Sequence, residues 1–299
     1  MKQRIVFWVE RYFYNPTLFD RLLSFIFLPF SFLYCFIVYV KFFMAKEEDL
    51  DVKVVSVGNL TVGGSGKTPL VSALAKEYED VAVVLRGYGR KSTGLIVVKS
   101  AKKIHCDVDQ SGDEAMVYAK KLQHATIIVS EDRKAGILKA KEYGAKIVFL
   151  DDGYSKHSIK KLDLLLHVKT NNSFCLPSGP FREKLWKGKK AFFLYEEKDF
   201  KRKVIIKDPT SKMVLVTAIA RPQRLERYLP KVIAKYYFED HYEFRKEDIE
   251  KIWQKESPTS LLVTLKDYVK LEKFGYPLSL MDLDMDVDKR VFDLIQNYS

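Results

Sequence analysis

A chain of 299 residues, 47% hydrophobic and 30% charged, can bury a full core and is too apolar to be intrinsically disordered. Its 51 basic against 39 acidic residues leave a net charge of +12, which points to an anionic partner: a phosphorylated ligand, an acidic membrane or nucleic acid. Cys35, Cys106 and Cys175 lie far apart with no C-x-x-C pair, so neither a zinc site nor a disulfide framework is expected, and a reducing compartment fits.

Residues 1–21 mix Arg4, Arg11 and Arg21 with Phe7, Trp8, Tyr12 and Phe13, the composition of an interfacial amphipathic segment. Residues 22–40 then carry no charge. As one helix they would measure about 28 Å, enough for a bilayer core, although Pro29 would kink or split it. A signal peptide would need a shorter apolar run and a small-residue cleavage site. A buried core hairpin is the bland alternative. Membrane attachment is the favoured reading, with Trp8, Tyr12, Tyr34 and Tyr39 at headgroup level.

After the polar break Lys46-Glu47-Glu48-Asp49, strands and helices alternate. A strand over 52–57 runs into Gly58-Asn59-Leu60-Thr61-Val62-Gly63-Gly64-Ser65-Gly66-Lys67-Thr68 and a helix over 69–78. Strand, glycine loop and helix start in that order make a phosphate cradle. Thr61, Val62, Gly63, Gly64, Ser65 and Gly66 would wrap ATP, Lys67 would reach its β/γ-phosphates, and the Thr68 hydroxyl would ligate Mg²⁺. The P-loop pattern asks for glycine at 61, where Thr61 stands.

Strands over 81–85, 125–129, 145–150 and 162–167 alternate with helices over 113–122 and up to 141, which predicts a parallel sheet with function at the strand C-terminal ends. Short strands at 192–195 and 203–206 would join two halves. A second β/α series begins at 213–217, with a helix at 222–229, strands at 235–238 and 260–264, and a last helix at 288–297. The expected architecture is an α/β fold: a membrane-associated helical segment (1–45), a P-loop NTPase-type α/β/α kinase domain (46–205) and a smaller C-terminal α/β/α domain (206–299).

Asp151 and Asp152 end a strand, as a Walker B carboxylate does, and one of them would hold Mg²⁺. Asp113 and Glu114 fall in a first helical turn, where carboxylates are favoured anyway; the functional alternative is a base and a metal contact. Arg133 and Arg182 are candidates for clamping phosphate. His241 gains meaning only if the second domain faces the first across a cleft. A GTPase would carry N/TKxD, and Thr264-Leu265-Lys266-Asp267 has its lysine one place too late. No transporter-ATPase signature or nucleic-acid motif is present, so no nucleic acid partner is expected. Phosphoryl transfer to a small or lipid hydroxyl remains; the alternative is a membrane-tethered nucleotide switch or assembly ATPase without a lipid acceptor.

The ordered set SVGNLTVGGSGKTP (56–69), LRGYGRK (85–91), SGDEA (111–115), SEDR (130–133), DDGYSKH (151–157), LPSGPFRE (176–183), DHY (240–242) and TLKD (264–267) resembles the tetraacyldisaccharide 4′-kinase family of lipid A biosynthesis. The resemblance implies transfer of the ATP γ-phosphate to the 4′-hydroxyl of a tetraacyldisaccharide 1-phosphate, giving lipid IVA. It implies an N-terminal segment bound to the cytoplasmic side of the bacterial inner membrane, and two α/β/α domains joined by a two-stranded linker; a monomer is expected. By position, Lys67 and Thr68 bind ATP–Mg²⁺, Asp113 resembles the general base, and His241 its partner. Glu114, Asp151 and Asp152 match acidic residues around metal and phosphates; Arg133 and Arg182 match basic positions for phosphate or lipid. Two departures stand out. His157 is displaced by one residue from the family's DDG-Phe-Gln-His and receives no role. Ala218-Ile219-Ala220-Arg221-Pro222 replaces a glycine-rich turn.

Overall fold

The computed structural model describes residues 2–64 and 66–298, with side chains from Trp8 onward; Ser65 of the expected loop and the Arg4 and Phe7 side chains lie outside the described set. Three helices come first: α1 (Lys2–Tyr14), α2 (Leu18–Ile26) and α3 (Leu28–Met44). The first domain then runs β1 (Lys53–Gly58), α4 (Lys67–Ala75), β2 (Val81–Leu85), β3 (Ile96–Ser100), β4 (Lys103–Ile104), α5 (Val108–Ser111), α6 (Asp113–Lys121), β5 (Thr126–Val129), α7 (Arg133–Glu142), β6 (Ile147–Asp151), β7 (Leu162–Leu166) and β8 (Phe192–Leu194). The sheet order is β4-β3-β5-β2-β6-β1-β7-β8. All pairings are parallel except the two that β3 makes, with the edge strand β4 and with β5.

The central strands are buried on both faces, as continuous Val/Ile/Leu runs require. Leu70 and Leu74 of α4 and Tyr118 of α6 fill the core on one face. Ile137 and Ala140 of α7 fill it on the other. This is the α/β/α sandwich expected of a P-loop domain.

The second domain contains β9 (Phe200–Lys207), β10 (Met213–Thr217), β11 (Ala234–Tyr237), α8 (Lys246–Glu256), β12 (Ser260–Thr264), α9 (Leu265–Leu271), β13 (Leu278–Val287) and α10 (Lys289–Gln296). Its sheet order is β11-β10-β12-β13-β9. Ile249 and Ile252 of α8 cover one face. The other face meets Leu225 and Leu229, within and just after the 3-10 helix Pro222–Tyr228, so the α-helix expected there is not a full α-helical layer. Proline at its first turn and the left-handed Arg221 before it set that start.

β13 was not foreseen. Its Met281-Asp282-Leu283-Asp284-Met285-Asp286 alternation puts acids, poor strand formers, on one face, where Asp282 meets Lys121 at 3.2 Å and Lys207 at 2.8 Å. β13 pairs antiparallel with β9 from Leu280↔Lys207 to Val287↔Phe200. The expected boundary at 205/206 therefore falls inside β9. The last helix returns to the first domain, where Val291 and Ile295 join its core.

The N-terminal helices are inside out. α2 and α3 meet at a 61° bend at Phe27, and Pro29 sits harmlessly in the first turn of α3. Among the described residues no single helix is long and apolar enough to cross a membrane; the bent pair passes only together. The polar side chains face the protein. Ser31 Oγ donates to the Cys175 carbonyl at 3.0 Å, and Tyr34 OH to the Arg182 carbonyl at 3.1 Å. Phe19, Leu22, Phe30, Phe32, Phe36 and Phe43 are exposed, so the pair is not a buried core hairpin. The same packing brings Cys35 of α3 against Cys175, Cα atoms 6.0 Å apart, in a disulfide. That corrects the expectation from cysteine spacing: 140 residues of sequence separation hid a tertiary neighbour.

Leu70→Ala should cost about 2–5 kcal/mol, because a fully buried leucine leaves a cavity between helix and sheet. Leu138→Ala on the exposed side of α7 should stay within about 0.5 kcal/mol. Chemical denaturation of both variants checks the assigned core; equal effects would refute it.

Candidate active site

The phosphate loop leaves the C-terminal end of β1. Thr61 takes an extended bridge with Phe181, and Asn59 Nδ2 donates to its carbonyl at 2.8 Å. No glycine is needed at 61, since its backbone is not left-handed there. Among the described loop residues the left-handed positions are Gly63 (φ 96°) and Gly66 (φ 90°), the latter capping α4. Lys67 Nζ donates to Asn59 Oδ1 at 3.1 Å and lies 3.7 Å from Asp152 Oδ1.

Asp151 and Asp152 end β6 beside it, but the two carboxylates differ. Tyr118 OH donates to Asp151 Oδ2 at 2.7 Å, and Thr68 Oγ1 stands 3.4 Å from the same oxygen. Asp151 Oδ1 is buried with no partner. Burial raises the Asp151 pKa, and the nearby charge of Lys67 only partly offsets this. Asp152, left-handed at φ 57°, turns instead to the Arg182 guanidinium, which grips it with both terminal nitrogens and also donates to Asn59 Oδ1 at 3.0 Å. Burial opposes the Asp152 charge, but Lys67 and Arg182 hold its pKa below the ordinary value.

Asp113 opens α6 after the left-handed Gly112. Its Oδ2 lies 3.0 Å from Nδ1 of His241, which the second domain supplies. Lys266 Nζ is 3.2 Å from His241 Nε2 and 3.7 Å from Asp113; Lys270 is 3.8 Å from Asp113. An ammonium can only donate to Nε2, so the imidazole proton sits on Nδ1 and is donated to Asp113. Burial would raise the Asp113 pKa, but the His241 hydrogen bond and the charges of Lys266 and Lys270 hold it below the ordinary range. Asp113 is thus ionised at neutral pH. Tyr88 lies over the other side of His241, ring centroids 5.0 Å apart. Asp267 accepts from the Ala218 N–H at 2.9 Å, and the Ala218 carbonyl accepts from the His241 N–H at 3.3 Å. The Thr264-Leu265-Lys266-Asp267 string, which failed as a base-recognition motif, therefore positions His241.

A cleft of about 1510 Å³ separates the domains; Lys67, Thr68, Glu114, Tyr88, His241 and Lys266 line it. Of the expected residues, Asp113 and Asp151 stand just behind that lining. Arg182 and Asp152 open instead onto a separate cavity of about 90 Å³ beside Tyr34. Arg133, the first residue of α7, is buried, Nη1 on the Ser130 carbonyl, with burial lowering its pKa. His157 is buried between Phe42 and Tyr154, away from the cleft. Asn59, Tyr118, Lys266 and Lys270 were not anticipated. Asn59 had a local signal, a polar side chain between strand and loop; the others are recognisable only by their neighbours.

The residues present suit a divalent cation. The Asp151 carboxylate has Oδ2 3.4 Å from the Thr68 hydroxyl and Oδ1 without a partner, and no described cluster of three His, Cys, Asp or Glu competes for the ion. Mg²⁺ prefers few protein ligands, with phosphate and water completing its shell. Glu114 reinforces the case: burial, then the Asp151 charge, push its pKa up to about 7. The folded state therefore holds the Glu114 proton more tightly than the unfolded chain, whose ordinary value is 4.5. The stability it confers is full below pH 4.5 and is lost as pH rises through about 7. Because a third of the side chain reaches solvent, Glu114→Gln in metal-free protein should gain only about 1 kcal/mol over wild type between pH 5 and pH 8. Equal differences at both pH values in urea unfolding would refute the shift.

Three comparisons bear on this geometry. The family model for tetraacyldisaccharide-1-P 4′-kinase matches residues 23–209 and 198–298. Tetraacyldisaccharide 4′-kinases are similar along their length: 48% identity for Aliarcobacter butzleri (100% of this chain, 98% of that one) and 47% for Helicobacter acinonychis (97% and 94%). The crystal structure of LpxK from Aquifex aeolicus in complex with ATP matches with a TM-score of 0.73 at 26% identity, covering 92% of this chain and 98% of that one. The P-loop, the acidic strand end and the two-domain cleft thus occur in a chain that belongs to the tetraacyldisaccharide 4′-kinase family.

Proposed function

We propose that this ATP-dependent 4′-kinase of lipid A biosynthesis works by closing its two domains on ATP and the sugar headgroup, with Asp113 as the base for the 4′-hydroxyl of a tetraacyldisaccharide 1-phosphate. The observation that carries the reading is the Asp113–His241 pair, 3.0 Å across the domain boundary, at the cleft that the phosphate loop also faces. The 4′-hydroxyl loses its proton to Asp113 while its oxygen forms a bond to the γ-phosphorus. The bond to the β,γ-bridging oxygen breaks, and ADP leaves with that electron pair. His241 orients the Asp113 carboxylate, and Lys266 and Lys270 keep it ionised until the proton arrives.

Lys67, released from Asn59 and Asp152, neutralises the β/γ-phosphates; the loop N–H groups between Thr61 and Thr68 cradle them. Thr68 and Asp151, with Glu114 nearby, would hold Mg²⁺, which supplies charge neutralisation on the phosphate chain. Asp152 and Asn59 hold Lys67 until the phosphates arrive, and Arg182 keeps Asp152 ionised. Arg133 adds positive charge behind the strand ends, where Asp151 and Asp152 feel it.

The aromatic face of α2 and α3 supports attachment to the cytoplasmic face of the inner membrane. Its exposed phenylalanines would enter the acyl region while Ser24, Ser31 and Tyr34 stay on the protein. The disaccharide's acyl chains then remain in lipid while its headgroup rises to the cleft.

Incubation with ATP, Mg²⁺ and the disaccharide 1-phosphate should yield the 1,4′-bisphosphate. Asp113→Asn should lower kcat roughly 10²–10⁴-fold with the KM for ATP within about threefold; a pure KM effect would disqualify the base. Phe32→Glu with Phe36→Glu, on one face of α3, should weaken vesicle binding at least about 100-fold, since each aromatic contributes roughly 1.5–3 kcal/mol. Unchanged co-sedimentation would exclude that face.

A further inference from the structure

In the turn Ala218-Ile219-Ala220-Arg221-Pro222, Ala218 holds His241; Arg221 takes part in none of the steps above, yet it reaches the phosphate loop. Arg221 is left-handed (φ 58°, ψ 58°), a conformation that residues with a Cβ resist, so its surroundings must hold it there. Its guanidinium lies over the Tyr14 ring, 4.2 Å from the centroid, and its Nε donates to Glu10 Oε1 at 2.5 Å. Its Nη2 is so close to the loop that a Cβ on Gly63 would stand 3.1 Å away. Tyr14 OH donates to the Val62 carbonyl, and Arg224 Nη1 donates to the Gly64 carbonyl at 2.7 Å. Residues 62, 63 and 64 are thus each touched from outside the loop, by α1 or by the second domain.

We propose that Glu10, Tyr14 and Arg221 form a latch that joins α1, the phosphate loop and the second domain and sets the loop's geometry for ATP. The proposal rests on the ATP reading of that loop. Three glycines give the loop conformational freedom, and order imposed before binding is not charged against affinity. The latch also manages charge. Burial, then the neighbouring Arg221 and Arg202, depress the Arg224 pKa, while Glu10 works the other way. Glu10 therefore steadies a group of arginines at the mouth of an anion site. All three are positioning residues; none touches a reacting atom.

Calorimetric titration of the full-length, detergent-solubilised protein with MgATP tests the latch. Arg221→Ala should weaken binding about tenfold and raise the KM for ATP alike, with kcat at saturating ATP within about twofold. Glu10→Gln and Tyr14→Phe should each weaken binding about threefold, and Arg221→Lys should recover part of the loss. The double variant Glu10→Gln/Arg221→Ala should match Arg221→Ala alone, because one unit is removed once. Thermal melts within a few degrees of wild type keep folding out of the comparison. Affinities within about twofold of wild type for Arg221→Ala, a kcat loss without a KM change, or a double-variant effect equal to the product of the singles would overturn the proposal. A wild type that fails to bind MgATP would instead remove the ATP reading beneath it, and the latch with it.

Discussion

Parallel register is the constraint on which the site depends. β1 lies between β6 and β7, and Val57 stands opposite Asp151. Parallel strands end at the same edge, so the loop after β1 and the acids after β6 emerge side by side. That placement sets Thr68 against Asp151, and Lys67 within reach of Asp152. The pairings that create the sheet also create the phosphate site.

Charge compensation organises what the sheet brings together. Burial alone would push the Asp113 pKa up, and His241, Lys266 and Lys270 reverse that. All three come from the second domain, so the ionisation of the base depends on the domains being apposed. At Glu114 and Asp151 the nearby cations, Lys266 for the one and Lys67 and Arg133 for the other, only partly offset burial, and both pKa values are pushed upward. The cleft thus holds an ionised carboxylate, Asp113, beside carboxylates whose charge awaits a partner. The two chemistries of a phosphoryl transfer, proton removal and phosphate neutralisation, are thus separated by environment rather than by residue type.

The helices before β1 connect this chemistry to a surface of opposite character. Their polar side chains bind the 172–182 segment, which in turn bridges Thr61 and carries Arg182. Their aromatic face points outward. α1 touches the loop itself through Tyr14. A rigid path of side-chain contacts therefore links the exposed aromatic face with the nucleotide loop.

Much of the fold was legible because its signals are local. A strand, a glycine loop and a helix start occupy consecutive residues, and buried parallel strands announce themselves as apolar runs. Asp113, His241, Lys67 and the acidic pair could be named from short strings and their family resemblance. The acidic strand β13 escaped, since its aspartates are stabilised by Lys121 and Lys207, far away in sequence. The Cys35–Cys175 pair, the grip of Arg182 on Asp152 and the meeting of Glu10 with Arg221 escaped for the same reason. Sequence by itself determined the order of elements, the phosphate-handling chemistry and the family, because these rest on neighbouring residues. Only tertiary structure decided which carboxylate faces Thr68, which cations ionise Asp113 and which face of the N-terminal helices is bare, because burial and long-range electrostatics exist only once distant segments are packed together.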